Sequence, residues 1–470
     1  MIIISFSFFL LLFIALGALS SLKSKKTTAD YLLASRGEKN WMIALAAVAT
    51  NNSGYMFIGM IGYTYLKGIS VFWIMLCVLI GDFCASLFVY KKLRIASEKL
   101  HALSFCETLS KWSGSEYKIF RKISAAILIL FLSTYAAAQL HAGGKAIHVL
   151  FNVDYAIGSI IGGIVVLIYC SFGGIRASIW TNTLQSFVMI ISMGILFFSA
   201  LHEVGGFAAF IAALQNISPE FVSLFPSDLI GNKGLGLLLF IFGWFFGGFG
   251  IIGQPHIMTS FMAVAKPQDI KEIRLCYYTW YVAFFALTIG TGLAARLLIP
   301  FDAGFDPELA LPMISNRLLP DFLIGLILAG LFSATMSTAD SQILSCSAAL
   351  TNDLLAGKRV GYLATKGYTV AISTVVIAIA VANNQSVFSL VMISWLALAC
   401  CFTPIVIIFS LGKKMSQKMA ITSMFSGFLV MMLWRYLGLG EIVYEAAPGI
   451  LAGIAPYFFH SLSKKIRTKI

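Results

Sequence analysis

The sequence predicts an all-α membrane protein that crosses the bilayer 13 times, with its N-terminus outside and its C-terminus in the cytoplasm. Three observations carry this. Of the 470 residues, 59% are hydrophobic and only 11% are charged, whereas a soluble domain carries about 25% charged residues. Apolar runs of about 20 residues recur along the whole chain, each long enough to cross a hydrocarbon core of about 30 Å. The basic residues between those runs alternate between many and few.

The first run, 2–21, precedes every Lys and Arg, the first being Lys23. A cleaved signal peptide carries its positive charge ahead of its apolar run, so this segment reads as a retained span. The others fall at about 42–64, 69–93, 120–150, 155–174, 180–203, 233–260, 275–300, 320–352, 365–383, 386–411, 418–438 and 445–463. With the N-terminus outside, all but six of the 33 Lys and Arg fall in cytoplasmic segments. The six are Lys67, Lys145, Lys233, Arg296, Arg317 and Arg435. Cytoplasmic loops carry such an excess, and one span more or fewer would mix the two sets. Topology thereby explains the net charge of +13, and a nucleic-acid partner is excluded. The eight cysteines lack metal-type spacing and most lie in apolar runs, where they read as small packing residues. No loop is long enough to fold alone, so residues 1–470 form one domain, multi-pass in the inner (plasma) membrane and bathed by the lipid bilayer.

Ionisable groups at bilayer depth cost about 3 kcal/mol each on insertion scales. Asp82, in the third span, and Asp340, in the ninth, are two such groups. Each either hydrogen-bonds a neighbouring helix or marks a cation or proton pathway. Three polar stretches also interrupt spans. The second span contains Ala49-Thr50-Asn51-Asn52-Ser53-Gly54, which suits backbone that unwinds to line a cavity. The seventh contains Gly247-Gly248-Phe249-Gly250 and then Gly253-Gln254-Pro255-His256. Its glycines weaken helix preference and Pro255 lacks an amide donor. The ninth contains Ser333 to Gln342, in which Ala334, Ser337, Thr338 and Ser341 share one helix face. That face is either a small-residue packing surface or a set of oxygens suited to a hard monovalent cation.

The interrupted second and seventh spans lie five apart. With the first span set aside, they become helices one and six of a ten-helix core. Interrupted spans at matching places in two halves point to inverted repeats. The repeats would be 42–203 and 233–411, with the extra span 2–21 before them and two spans in 418–463 after them.

These residues resemble the sodium:solute symporter family, and within it the sodium/proline symporter group. The resemblance covers nearly the whole chain. It rests on Ala29-Asp30-Tyr31-Leu32-Leu33-Ala34-Ser35-Arg36, on Gly253-Gln254-Pro255-His256-Ile257 with Phe261-Met262-Ala263, and on Met336-Ser337-Thr338 with Ser345-Cys346-Ser347-Ala348. It implies a LeuT-type five-plus-five core and coupled uptake of a small organic solute with Na+. The sodium site would take backbone carbonyls of Ala49, Asn52 and Ala334 and the hydroxyls of Ser337 and Thr338. Solute would contact Ser53, Gly54 and the seventh-span break at Gly247, Gly248, Phe249 and Ile251, with Tyr135 and Gln139 nearby. Arg36, Asn51 and Asp82 are the implied coupling or gating positions.

The chain also departs from that group. Asn51 and Asn182 stand where its better-known members carry aspartates, and Asp82 and Asp340 stand where those members are uncharged. We therefore expect a second cation site rebuilt from Asn182, Asp340 and Ser341. Gly247 and Ile251 stand where the proline carriers present a Trp and a Tyr, so the proline-contacting surface is not reproduced, although the resemblance keeps proline or another small amino acid as the leading expectation. A different solute, such as pantothenate or a sugar acid, is the alternative. Proton coupling through Asp82 or Asp340 and a transporter-like sensor are further alternatives. An enzyme is not expected, because no HExxH, GxSxG or P-loop pattern occurs.

Overall fold

The computed structural model describes residues 1–470 other than 227–228, 230–232, 301, 303, 356–359, 383–386 and 468–470. Among the described residues every regular element is helical. The principal helices are α1 (Ile2–Ser20), α2 (Asn40–Asn51), α3 (Phe72–Phe88), α4 (Lys118–Phe151), α5 (Tyr155–Gly173), α6 (Ile175–Glu203) and α7 (Lys233–Phe249). They continue with α8 (Pro255–Met262), α9 (Ile270–Leu298), α10 (Asp321–Ala348), α11 (Tyr362–Ala382), α12 (Val387–Ser410), α13 (Gln417–Tyr436) and α14 (Ala446–Arg467).

Among the described residues, eleven stretches are long and apolar enough to cross a membrane. The 13 predicted spans map onto them unevenly. Residues 54–88 form one continuous apolar stretch where the sequence suggests the end of one span and the start of the next. The predicted span 445–463 falls, from 446 on, in α14, which is outside the eleven. The predicted span limits at 383 and 386 lie outside the described residues.

The Asn-Asn-Ser-Gly run breaks its helix as expected. Asn52 leaves helical geometry at φ −91° and ψ 72°, and Ser53 is extended. The Ser53 hydroxyl then accepts from the Tyr55 amide at 3.2 Å and restarts the chain as the short helix Gly54–Phe57. The break in the seventh span lies further along than the glycines suggest. Helix α7 runs through Gly247 and Gly248 to Phe249, a 3-10 turn covers Gly250–Gly253, and Gln254 is extended before Pro255 opens α8. The early glycines serve close packing instead. A Cβ on Gly248 would stand 2.0 Å from the Val78 carbonyl of α3.

Helix α10 occupies the middle of the bundle. Every residue from Ile324 to Ala348 is buried, so it is covered all round as an interior helix must be. It packs against α1, α2, α4, α6 and α11. The Ser5 hydroxyl of α1 donates to the Phe322 carbonyl at 3.0 Å, and this places the first helix directly against it.

Candidate cation and solute site

Helix α2 ends at Asn51, so the carbonyls of its last turn lack amides four residues on. The Gly54 amide, which would otherwise reach Thr50, donates to Gln139 Oε1 at 2.8 Å. Side chains of α10 meet the freed carbonyls. Thr338 Oγ1 donates to Thr50 O at 2.9 Å, and Ser337 Oγ lies 3.2 Å from Ala49 O. The same two hydroxyls stand 3.1 and 3.2 Å from the Ala334 carbonyl. Asn52 Nδ2 donates to Val48 O at 2.8 Å, and its Oδ1 is buried with no hydrogen-bond partner. Oxygens of Ala49, Ala334, Ser337 and Thr338 thus meet at the helix break, with Asn52 at the break itself, in an array of the kind that binds cations in broken-helix carriers.

One turn along α10, Asp340 is fully buried. Its Oδ1 accepts from Ser341 Oγ at 2.8 Å, Ser178 Oγ at 3.0 Å and Asn182 Nδ2 at 3.2 Å, and its Oδ2 accepts from Tyr169 OH at 3.0 Å. Asn182 Oδ1 is buried without a partner. Asn182, Asp340 and Ser341 therefore meet, joined by Tyr169 of α5 and Ser178 of α6. Thr50 Oγ1 lies 3.1 Å from Ser341 Oγ and donates to the Ser337 carbonyl at 3.1 Å, so the two oxygen clusters are contiguous.

Asp82 and Asn51 are linked through a phenol. Asn51 Nδ2 donates to Tyr277 OH at 2.8 Å, and Tyr277 OH donates to Asp82 Oδ2 at 3.1 Å. Tyr90 OH donates to Asp82 Oδ1 at 2.6 Å. The carboxylate is buried but each oxygen has a donor, which offsets part of the cost of burying it.

Arg36 sits apart, between α8 and the helix Tyr90–Lys99. Its Nε donates to Met262 O at 3.2 Å and its Nη2 to Ser97 Oγ at 2.9 Å. Burial lowers its guanidinium pKa and Arg94 lowers it further, while Glu98 opposes both. Arg94 Nη2 donates to Ala265 O at 2.9 Å, so two arginines hold the chain just past α8.

A cavity of about 90 Å³ opens beside the break in α2. Asn51, Ser53, Tyr135 and Gly247 line it, with Trp244 and Tyr444. Tyr135 OH lies 3.5 Å from Ser53 Oγ. Gly54, Gln139, Gly248, Phe249 and Ile251 do not line it. A Cβ on Gly54 would stand 2.5 Å from Thr335 Cγ2, so this glycine lets the break touch α10. Gln139 Nε2 is buried without a partner. His256 is fully buried, with its ring edge-on to Tyr135 at 5.8 Å.

Sequence reasoning did not find Tyr169, Ser178, Tyr277, Tyr90 or Tyr444. Tyr90, Tyr169 and Tyr277 sit in apolar runs, where they read as packing or interfacial aromatics, and Tyr444 lies in a short segment between Glu441 and Glu445. A hydroxyl-bearing residue one helical turn before Asn182 was the available signal for Ser178.

The model of the sodium:solute symporter family matches residues 31–427. The high-affinity proline transporter PutP of Bacillus subtilis is 27% identical over 94% of this chain and 93% of its own. The sodium/proline symporter of Haemophilus influenzae is 29% identical over 93% of this chain and 90% of its own. Among solved structures, a Na+-coupled sialic acid symporter in a substrate-bound outward-open state superposes with a TM-score of 0.82. It has 16% identity and covers 97% of this chain and 96% of its own. The nucleobase-cation-symport-1 family transporter Mhp1, closed with bromovinylhydantoin bound, gives 0.58 at 13% identity, over 90% of this chain and 92% of its own. At these identities the structures establish a shared fold.

Proposed function

Since the chain belongs to the sodium:solute symporter family, we propose that it brings proline or another small amino acid into the cell together with sodium, by alternating access. It is a multi-pass plasma-membrane protein, and sodium is the co-transported ion. The observation that carries the reading is the meeting of the Ser337 and Thr338 hydroxyls with the Ala49 and Thr50 carbonyls at the break in α2. Relatives named as proline carriers, matched over more than nine-tenths of this chain, support the solute class.

Sodium held by Ala49, Asn52, Ala334, Ser337 and Thr338 would tie α2 to α10. That tie would order Ser53 and Tyr135 before solute arrives. Bound solute then stabilises a closed state, and rocking of helices opens the other side. Sodium and solute must raise each other's affinity by the same factor. An inside-negative potential supplies about 2.3 kcal/mol per charge per 100 mV.

In this reading the chain has 13 spans, with the N-terminus outside and the C-terminus cytoplasmic. Repeats at 42–203 and 233–411 lie between the extra span 2–21 and the two spans in 418–463. Asn182, Asp340 and Ser341 form a second cation site, supported by the unpartnered Asn182 Oδ1 beside the Asp340 carboxylate. Arg36 and the Asn51–Tyr277–Asp82 chain couple site occupancy to opening on the cytoplasmic side.

Uptake of labelled proline into membrane vesicles tests this, with an imposed sodium gradient set against an imposed pH gradient. Amino acids, pantothenate and sugars serve as competitors. We expect sodium-driven uptake with competition confined to small amino acids. Uptake that follows only the pH gradient would overturn the coupling, and competition by pantothenate or a sugar acid alone would overturn the solute class.

A further inference from the structure

Tyr444 lies just before α14, outside the ten-helix core, yet its ring reaches the solute cavity. It stacks flat on Trp244 of α7, with centroids 4.1 Å apart and planes within 7°. The same two rings line a second cavity of about 190 Å³ that lies toward Lys67 and Glu441. The stack therefore stands between the two spaces, with Ile74 completing the partition. Helix α7 is bare where the ring lies. A Cβ on Gly243 would stand 2.6 Å from Tyr444 N, and one on Gly247 would stand 2.9 Å from Tyr444 Cε1. Two small residues one turn apart thus make a seat for this side chain. The seat is braced from α13, where Trp434 Nε1 donates to Val443 O at 2.9 Å.

We infer that Tyr444 is a specificity-determining residue: its ring, stacked on Trp244, forms the outer wall of the solute cavity, limits solutes there to a compact apolar body, and must leave Trp244 before solute enters. This rests on reading the space beside Ser53 and Tyr135 as the solute cavity. The aromatic pair is held by flat stacking and by one long, weak hydrogen bond from Tyr444 OH to Met392 Sδ at 4.0 Å, and a thioether is a poor acceptor, so it can open at small cost. A longer apolar solute would need the volume the Tyr444 ring occupies.

The test uses the full chain carrying Met75→Cys, a residue that lines the inner cavity, in intact cells treated with a membrane-impermeant cationic thiol reagent. Labelling of the parent chain is subtracted. We expect Tyr444→Ala to raise the labelling rate at least tenfold and Tyr444→Phe to leave it near that of Met75→Cys alone. In proline-uptake competition, leucine and phenylalanine should gain at least tenfold in potency in Tyr444→Ala and not in Tyr444→Phe. Gly247→Phe alone should abolish uptake by colliding with the ring, and adding Tyr444→Ala should restore it. Tyr444→Leu replaces the Ala variant if size-exclusion profiles show that the latter misfolds. A labelling rate within twofold of the Met75→Cys chain, or an unchanged competition profile, overturns the proposal. The labelling arm needs no solute, so it decides alone if no solute in the panel is carried.

Discussion

Thr338 on α10 donates its hydroxyl to the carbonyl of Thr50 on α2 at 2.9 Å, across 288 residues of chain. The bond exists because α2 stops at Asn51 and leaves that carbonyl without an amide. A helix break and a hydroxyl from a distant helix complete each other, and they do so beside the Ala49 carbonyl and the Ser337 hydroxyl.

Replacing Thr338 by Val, or Ser337 by Ala, removes one oxygen from this array and keeps most of the packing. We expect half-saturating sodium for uptake to rise at least about tenfold, which corresponds to about 1.4 kcal/mol. The stability cost should stay near 1 kcal/mol, the usual worth of one hydrogen bond. Sodium titration of initial uptake rates, beside thermal unfolding in detergent, separates the two.

Asp340→Asn preserves shape and most donors around Tyr169, Ser178 and Asn182 while removing a buried charge. Transport should fall at least about tenfold, and the dependence of rate on sodium should become less steep. The melting temperature should hold or rise, because an isolated buried charge is costly. Unchanged sodium dependence would remove Asp340 from the cation path.

Tyr277 is the shared partner of Asn51 and Asp82, so its hydroxyl should couple them. The single changes Asn51→Ala and Asp82→Asn, and the pair together, should show an interaction energy of about 0.5–3 kcal/mol in stability. In a Tyr277→Phe background that coupling should fall toward zero. Thermal unfolding of the parent and the seven variants checks it, and additivity in the parent would refute the link.

Asp353 is fully buried and accepts from Arg121 Nε at 2.7 Å and from Ser104 Oγ at 2.7 Å. Arg121→Met would leave that carboxylate without its cation. We expect a loss of about 3–5 kcal/mol, read as a large drop in melting temperature. Ser104→Ala should cost about 1–3 kcal/mol.

Asp30 offers a pH-dependent measurement outside the spans. Burial raises its pKa, but the Ser35 hydroxyl, the Lys25 amide and Arg176 together hold it below its ordinary 3.8. A carboxyl with a depressed folded pKa stabilises fully above its unfolded value and loses that contribution as pH falls through the folded one. Asp30→Asn should therefore cost stability at pH 7, and the difference from the parent should shrink below pH 3.8. Paired melting curves across that range test the sign.

Much of the candidate cation site was legible because helical spacing is reliable. Ala334, Ser337, Thr338 and Ser341 fall on one face by arithmetic, and a run of Asn, Asn, Ser and Gly inside an apolar stretch can only break it. The seventh span was harder. Glycine is a weak helix former and also the residue that lets helices touch, and sequence alone does not distinguish the two uses at Gly247 and Gly248. The phenol cage of Asp82 was hidden because Tyr90 and Tyr277 look apolar in a run, and their hydroxyls matter only once three helices meet. Tyr444 was hidden by distance, since nothing near it in sequence hints at a partner 200 residues earlier. The span count differs for two reasons, and the first is that α14 falls outside the eleven stretches found among the described residues. The second is that residues 54–88 remain apolar throughout, so hydropathy sees one segment there.

The burial of α10 from Ile324 to Ala348 bears on how the protein is made. A helix with Ser333, Thr335, Ser337, Thr338, Asp340 and Ser341 on its surface is poorly suited to lie alone in lipid. Four of the helices that cover it, α1, α2, α4 and α6, precede it in the chain, and α11 follows it. During synthesis those four emerge first, so a lined groove can stand ready when α10 leaves the ribosome. Chain order thereby supplies the shelter that the polar face of α10 needs during membrane integration, before any cation has been bound.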